Sequence, residues 1–159
     1  PGLLVYGIVP SGRRRERGEW LKRLRPVLSL KSKVAFVKEV PTGSPISYGQ
    51  KDVCSRTSVL ATVCAGYGDG VLRSGGRRME VMIDGKRCPV RGIITMDQMI
   101  VDVSEVPNVR RGDEVVIIGT QRGDGISAKE QAAAAGTIPW EVLTSITQRV
   151  PRIYRGVSV

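Results

Sequence analysis

Apolar residues in this chain come in short runs cut by turn-forming residues, the patterning of a β-rich fold rather than a helical one. Residues 27–40 space Val27, Leu28, Leu30, Val34, Phe36 and Val40 so as to predict one long strand or a bent pair. Pro41-Thr42-Gly43-Ser44-Pro45 predicts a turn, and residues 58–65 an apolar strand stopped by Gly66. Residues 80–83 and 87–90 flank Asp84-Gly85, a hairpin signal because both residues tolerate positive φ. Residues 99–103 and 114–119 bring the expected strands to at least seven, once the opening Gly2-Leu3-Leu4-Val5-Tyr6-Gly7-Ile8 run is included. Residues 149–154 read as a final strand. So many short strands predict a mostly-β domain of barrel or sandwich type.

Two short helices are expected near the C-terminal end. Ser127 followed by Glu130 is a capping box, and it leads into Gln131 and four alanines before Gly136 stops the helix. Thr137 is the expected cap of a second helix with Pro139 in its first turn. Residues 92–103 are mostly apolar or Gly, as a buried strand would be, yet Thr95, Asp97 and Gln98 interrupt their centre. A carboxylate is costly to bury without partners, so a polar dip in such a run marks a turn or a site. Two Gly-flanked tyrosines upstream, in Ser47-Tyr48-Gly49 and Gly66-Tyr67-Gly68-Asp69-Gly70, favour a site.

Composition narrows the chemistry. A chain of 159 residues with 41% hydrophobic and 25% charged residues is the size and balance of one globular domain. No run approaches the roughly 18 apolar residues of a membrane span, and no signal peptide opens the chain. Because it begins with Pro1 inside a strand-like run, the chain reads as a piece of something longer. With 3 cysteines, no CxxC spacing and no histidine, neither a disulfide framework nor a metal site is expected. Cys64 and Cys88 are expected to be small buried hydrophobes. Without histidine, proton chemistry falls to Tyr, Lys, Cys or a carboxylate. The net charge of +10 raises nucleic acid as a partner, but residues 10–25 alone hold seven Arg or Lys against two Glu. Half the excess charge therefore sits in one linker-like stretch with a helical turn near Trp20-Leu21. With aromatic residues at 4%, no stacking platform accompanies it, so nucleic acid is disfavoured.

Eight segments in order carry a resemblance. They are Pro1-Gly2-Leu3-Leu4-Val5-Tyr6-Gly7, residues 26–32, Ile46-Ser47-Tyr48-Gly49, residues 66–70, residues 84–87, Met96-Asp97-Gln98, Gly136-Thr137-Ile138 and residues 149–152. Together they resemble the C-terminal part of bacterial alanine racemases, the fold-type III enzymes that use pyridoxal phosphate. The resemblance implies a (β/α)₈ barrel upstream that holds the cofactor on a lysine outside this chain. Residues 1–9 would be its last strand, 10–26 a basic linker, and 27–159 the β domain, which lies over the partner's barrel in a head-to-tail homodimer. It implies a cytoplasmic enzyme that interconverts L- and D-alanine, with two opposed bases working on either face of Cα, and a fragment inactive alone.

The roles carried over are specific. Tyr48 would be the base supplied to the partner subunit. A phenol has an ordinary pKa of about 10 and needs nearby positive charge to work near neutrality. Met96 would hold the substrate carboxylate by its backbone N–H, with main-chain geometry at Asp97 contributing, and Tyr67 would narrow the entrance. Gly2 and Leu3 would reach the cofactor phosphate by backbone N–H groups. Two positions depart from the family. Trp140 stands where a tyrosine usually reaches the cofactor phosphate, which opens serine or another small amino acid as the alternative substrate. Ile93 stands where an arginine usually lines the entrance. The competing reading from charge alone is a basic β-barrel adaptor for RNA or an anionic surface.

Overall fold

The computed structural model describes residues 2–9, 18–50 and 52–156. Nine strands are formed among them: β1 (Leu30–Val40), β2 (Pro45–Ile46), β3 (Asp52–Val53), β4 (Ser58–Val63), β5 (Glu80–Ile83), β6 (Lys86–Arg91), β7 (Met99–Asp102), β8 (Glu114–Gln121) and β9 (Asp124–Ile126). Two helices follow, α1 (Ala128–Ala135) and α2 (Pro139–Thr144). All pairings are antiparallel, in the order β1-β4-β7-β6-β5-β8-β9, and β1 pairs with β8 as well as with β4. Six strands thus close on themselves into a barrel, and β9 extends from β8. Closure removes the sheet edges that would otherwise invite pairing with another chain.

The long first strand makes closure possible. Residues 30–33 pair with β8 and residues 34–40 with β4, and the register shifts between Val34 and Phe36. One strand therefore serves two neighbours by bending, as its irregular alternation predicted. The Asp84-Gly85 hairpin forms as expected, with φ of 52° and 76° and Ile83 opposite Lys86. Inside the barrel, Val63, Val81, Ile83, Val90, Val101, Val115 and Ile117 are almost wholly buried. The face of α1 bearing Ala128 and Ala132 closes one side of that core. Ser127 caps α1 as read from sequence: its hydroxyl accepts from the Glu130 N–H, and the Glu130 carboxylate accepts from the Ser127 N–H.

Four expectations are corrected. The opening run is a 3-10 helix over Gly2–Tyr6 rather than a strand, with the Gly7 and Ile8 N–H groups donating to Leu4 and Leu3 at 3.0 Å each. A strand satisfies its backbone through neighbours, and none of the described strands lies beside this segment, so local bonds prevail. Leu3 and Ile8 still turn into the core. Residues 149–154 form no strand; Arg152 wraps back onto the carbonyls of Ile146, Thr147 and Val150 instead. Thr137 does not cap α2, whose N-cap is Ile138; its hydroxyl bonds the Glu141 carboxylate. Cys64 is exposed, because β4 ends with Val63 facing inward and the next side chain must face out. Of the expected linker, residues 10–17 lie outside the described residues, and Glu19–Arg23 make one 3-10 helix.

The cysteines give a direct check. Cys54 and Cys88 are each 1% exposed, and burial pushes the Cys88 thiol up to about 11. An aromatic disulfide reagent at pH 8 should meet one fast thiol per native chain and three after denaturation. Cys64→Ser should remove the fast phase, since the thiolate is the reacting species and only exposed ones are reached.

Candidate active-site rim

Three loops meet at one end of the barrel. The β6–β7 connection, residues 92–98, is the central one. Beside it runs the segment after β4, where Tyr67 N–H donates to the Thr95 carbonyl at 3.0 Å and Gly68 N–H to the Met96 carbonyl at 2.8 Å. Such backbone contact is allowed because the residues flanking Tyr67 lack side chains. A Cβ on Gly66 would sit 2.2 Å from the Thr95 oxygen, and one on Gly68 would sit 2.9 Å from the Met96 oxygen. Arg149 locks the pair: Nε donates to Asp69 at 2.8 Å, and Nη2 to Asp97 at 2.8 Å and to the Met96 carbonyl at 3.3 Å. Thr147 adds a bond from its hydroxyl to the Gly68 carbonyl at 2.7 Å.

The third loop carries Tyr48, at the turn of a small hairpin in which Pro45 pairs with Val53 and Ile46 with Asp52. Its backbone is unusual: Ser47, Gly49 and Gln50 have φ of 61°, 73° and 50°. Left-handed conformation costs a non-glycine residue free energy and persists when the surroundings impose it. The surroundings are visible. The Ser47 hydroxyl donates to the Ile93 carbonyl at 2.8 Å. A Cβ on Gly92 would lie 2.6 Å from Ser47 Cβ, so the hairpin rests against bare backbone. Asp52 accepts from Arg91 Nε at 3.1 Å, Arg91 Nη2 at 3.0 Å and the Gly92 N–H at 2.7 Å. Burial raises the Asp52 pKa, but the Arg91 and Gly92 bonds outweigh it and leave the carboxyl below its ordinary value.

Tyr48, Tyr67 and Met96 therefore stand on one rim, tied through residues 93–96, and all three are exposed, Tyr48 to 74%. Neither phenol meets a hydrogen-bond partner among the described residues, and the Met96 N–H donates to none of them. Such a rim can present a proton-transfer group and a carboxylate-binding donor to something outside the chain. Asp97 is placed differently from Met96: its carboxylate is engaged by Arg149, so what it contributes is the hold on the loop. Trp140, on α2, is 42% exposed and so is not a core residue. That helix abuts the Tyr67 segment where the Ser145 hydroxyl donates to the Gly70 carbonyl at 2.8 Å. Gly2 and Leu3 lie elsewhere: none of the bonds just described reaches them. A cavity of about 630 Å³ between residues 6–9, β8, β9 and α1 is lined by none of the expected site residues.

For pyridoxal phosphate the fit is peripheral. Gly2 is exposed with nothing within 4 Å of where a Cβ would stand, leaving its backbone open to a phosphate. The indole of Trp140 offers one donor and no acceptor. Sequence reasoning did not pick out Ser47, Asp52, Arg91 or Arg149. An Asp four residues after a Gly-flanked tyrosine, and an Arg just before a glycine, were the available signals, and neither is specific without the contacts.

The chain belongs to the alanine racemase C-terminal domain family, whose model matches residues 27–154. An alanine racemase of Halothermothrix orenii is 44% identical over 156 residues, which make up 98% of this chain and 40% of that protein. The crystal structure of alanine racemase from D-cycloserine-producing Streptomyces lavendulae superposes with a TM-score of 0.87 at 40% identity, over 99% of this chain and 40% of that one. The Bacillus anthracis enzyme with bound L-Ala-P gives 0.83 at 38% identity, over 98% of this chain and 40% of that one. This chain spans about two fifths of the length of the relatives it matches. None of its described helices is long and apolar enough to cross a membrane.

The buried carboxylate gives the rim a pH signature. Because the Asp52 pKa is lowered in the fold, its stabilisation is complete above the unfolded value of 3.8 and fades as pH falls through the depressed folded value. Urea midpoints of the native chain should therefore drop on an acid limb below about pH 4. Asp52→Asn should be less stable at pH 7 and show a shallower limb, Glu114, Asp124 and Glu130 supplying the remainder.

Proposed function

We propose that this chain is the β domain of a bacterial, cytoplasmic alanine racemase that acts as a homodimer, each copy lending its rim to the cofactor-bearing barrel of the other. The observation that carries the proposal is Tyr48. Its phenol is 74% exposed and has no partner among the described residues, yet the loop beneath it is fixed by the Ser47–Ile93 bond and the Asp52 contacts. A side chain mounted that firmly and left that bare is built to meet a group from outside.

Pyridoxal phosphate, when bound, supplies the electron sink that makes the Cα proton of an amino acid removable. Gly2 and Leu3 would face its phosphate with backbone N–H groups, and Trp140 would offer its indole N–H. The residues of the rim then divide the work. Tyr48 takes or returns the Cα proton at its phenolic oxygen on one face, opposite the base on the other; a single base on one face serves racemisation poorly. Met96 donates its backbone N–H to the substrate carboxylate, which fixes the plane in which Cα lies. Tyr67 stands across the loop and narrows the approach. Arg149 donates to the Met96 carbonyl and pairs with the Asp97 carboxylate, which offsets their negative charge beside an incoming carboxylate.

In the full-length enzyme, Tyr48→Phe should retain the cofactor and lose catalysis by a factor of about 10² to 10⁴. The loss should be directional: Cα-proton exchange from the enantiomer served by the opposing base should survive better. Equal loss in both directions would make Tyr48 a wall of the pocket rather than a base. The chain alone should show no racemase activity and bind no cofactor specifically, and titration into a separately made barrel half should restore D-alanine formation.

Alanine is the expected substrate, with serine or another small amino acid as the alternative that Trp140 raises. Trp140→Tyr in the full-length enzyme should tighten cofactor retention and shift the ratio of kcat/KM for alanine and serine by about 10- to 200-fold, the worth of a small group in a pocket. An unchanged ratio with a lowered Tm would place Trp140 outside the site.

A further inference from the structure

We infer that Asp52 and Arg91 are positioning residues for Tyr48. The proposal deepens the racemase reading and rests on it for its catalytic part. The hairpin that carries Tyr48 has two paired residues per strand and lies outside the barrel's sheet. A ladder that short cannot hold its own turn. Asp52 is the lower half of the last pair beneath Tyr48, opposite Ile46, and it is 8% exposed. From there it reaches the barrel by the Arg91 fork and by the Gly92 N–H. Arg91 is the last residue of β6 and is itself held from β7, where Asp102 accepts from Nη1 at 3.3 Å. Its Nη2 also donates to the Val53 carbonyl, so one guanidinium grips both the side chain and the backbone of β3.

The geometry couples two parts of the rim. Gly92, bonded to Asp52, opens the loop that runs on to Met96, and Ser47 is bonded to Ile93 in the same loop. The backbone that carries Tyr48 and the Met96 loop are thus indexed to each other through Asp52, Gly92 and Ile93. A planar fork suits this duty better than a lysine, since two parallel bonds fix orientation as well as distance.

The test uses the full-length enzyme with Asp52→Asn, which keeps the size of the side chain, and Ser47→Ala, which removes the second anchor. Each should lower kcat by about 10- to 10²-fold with KM for alanine little changed, the scale of a misplaced reacting group. The loss should be larger in the direction assigned to Tyr48. Arg91→Lys should fail to restore the rate, because it keeps the charge and loses the fork. Glu114→Gln, which breaks the exposed Lys31–Glu114 pair elsewhere, should leave the directional ratio unchanged. Hydrogen exchange gives a readout independent of catalysis: the amides of Asp52 and Gly92 should exchange at least about tenfold faster in Asp52→Asn, with the barrel strands still protected. Unchanged protection, or equal loss in both directions with protection lost, overturns the positioning role. Tyr48→Phe measured alongside separates the two readings. Full activity there overturns Tyr48 as a base, and the exchange result alone then decides whether Asp52 anchors the loop.

Discussion

A carboxylate taken out of water must be given partners, and in this domain the partners of Asp52 hold the candidate rim together. Asp52 is the charged side chain among the buried residues of the described structure, and it accepts three hydrogen bonds from two successive residues of another strand and its loop. Removing Arg91 would leave this carboxylate with the Gly92 N–H and with Arg77 at 3.9 Å, a loss that is costly for a charge largely out of water. A hairpin of two-residue strands thereby inherits the rigidity of a closed barrel.

Barrel closure supplies the other half of the constraint. With β1 bent to pair both β4 and β8, no strand of the ring can slip in register without breaking two ladders. The β6–β7 loop rises from that frame and has its own carbonyls occupied: Ile93 by Ser47, Thr95 by Tyr67, Met96 by Gly68 and Arg149. Two neighbouring segments are therefore indexed to one stretch of backbone. The polar interruption at Thr95, Asp97 and Gln98, which breaks an otherwise apolar run, is what lets the chain turn there; Thr95 bonds the Gln98 carbonyl through both N–H and hydroxyl.

Most of the fold was legible because it follows from periodicity and turn chemistry. The capping box at Ser127 and Glu130 and the Asp84-Gly85 turn are local signals, and both formed. What failed was where tertiary neighbours decide. The opening run has the composition of a strand, but composition supplies no ladder. Residues 149–154 are apolar enough to pair, yet Arg149 and Arg152 commit their side chains to loop carbonyls and carboxylates. At the rim, Tyr48, Tyr67 and Met96 could be read from motif and resemblance. Their supports could not, since Asp52, Arg91 and Arg149 act across 39, 39 and 52 or more positions of sequence, and no spacing rule spans such distances.

The division of labour has a physical logic if the site is completed by a second subunit. An acid–base group must stand within hydrogen-bond reach of its proton, and small misplacement is expensive in rate. When that group arrives on another chain, any looseness in its mounting adds to the tolerance of the interface itself. Freezing the loop within its own domain, before docking, removes one of the two sources of error. The left-handed backbone at Ser47 and Gln50 fits this view. Strain of that kind survives where the surroundings over-determine a conformation. Here the surroundings are a barrel whose nearest loop offers a carbonyl, an N–H and a bare glycine, each matched to the hairpin that bears Tyr48.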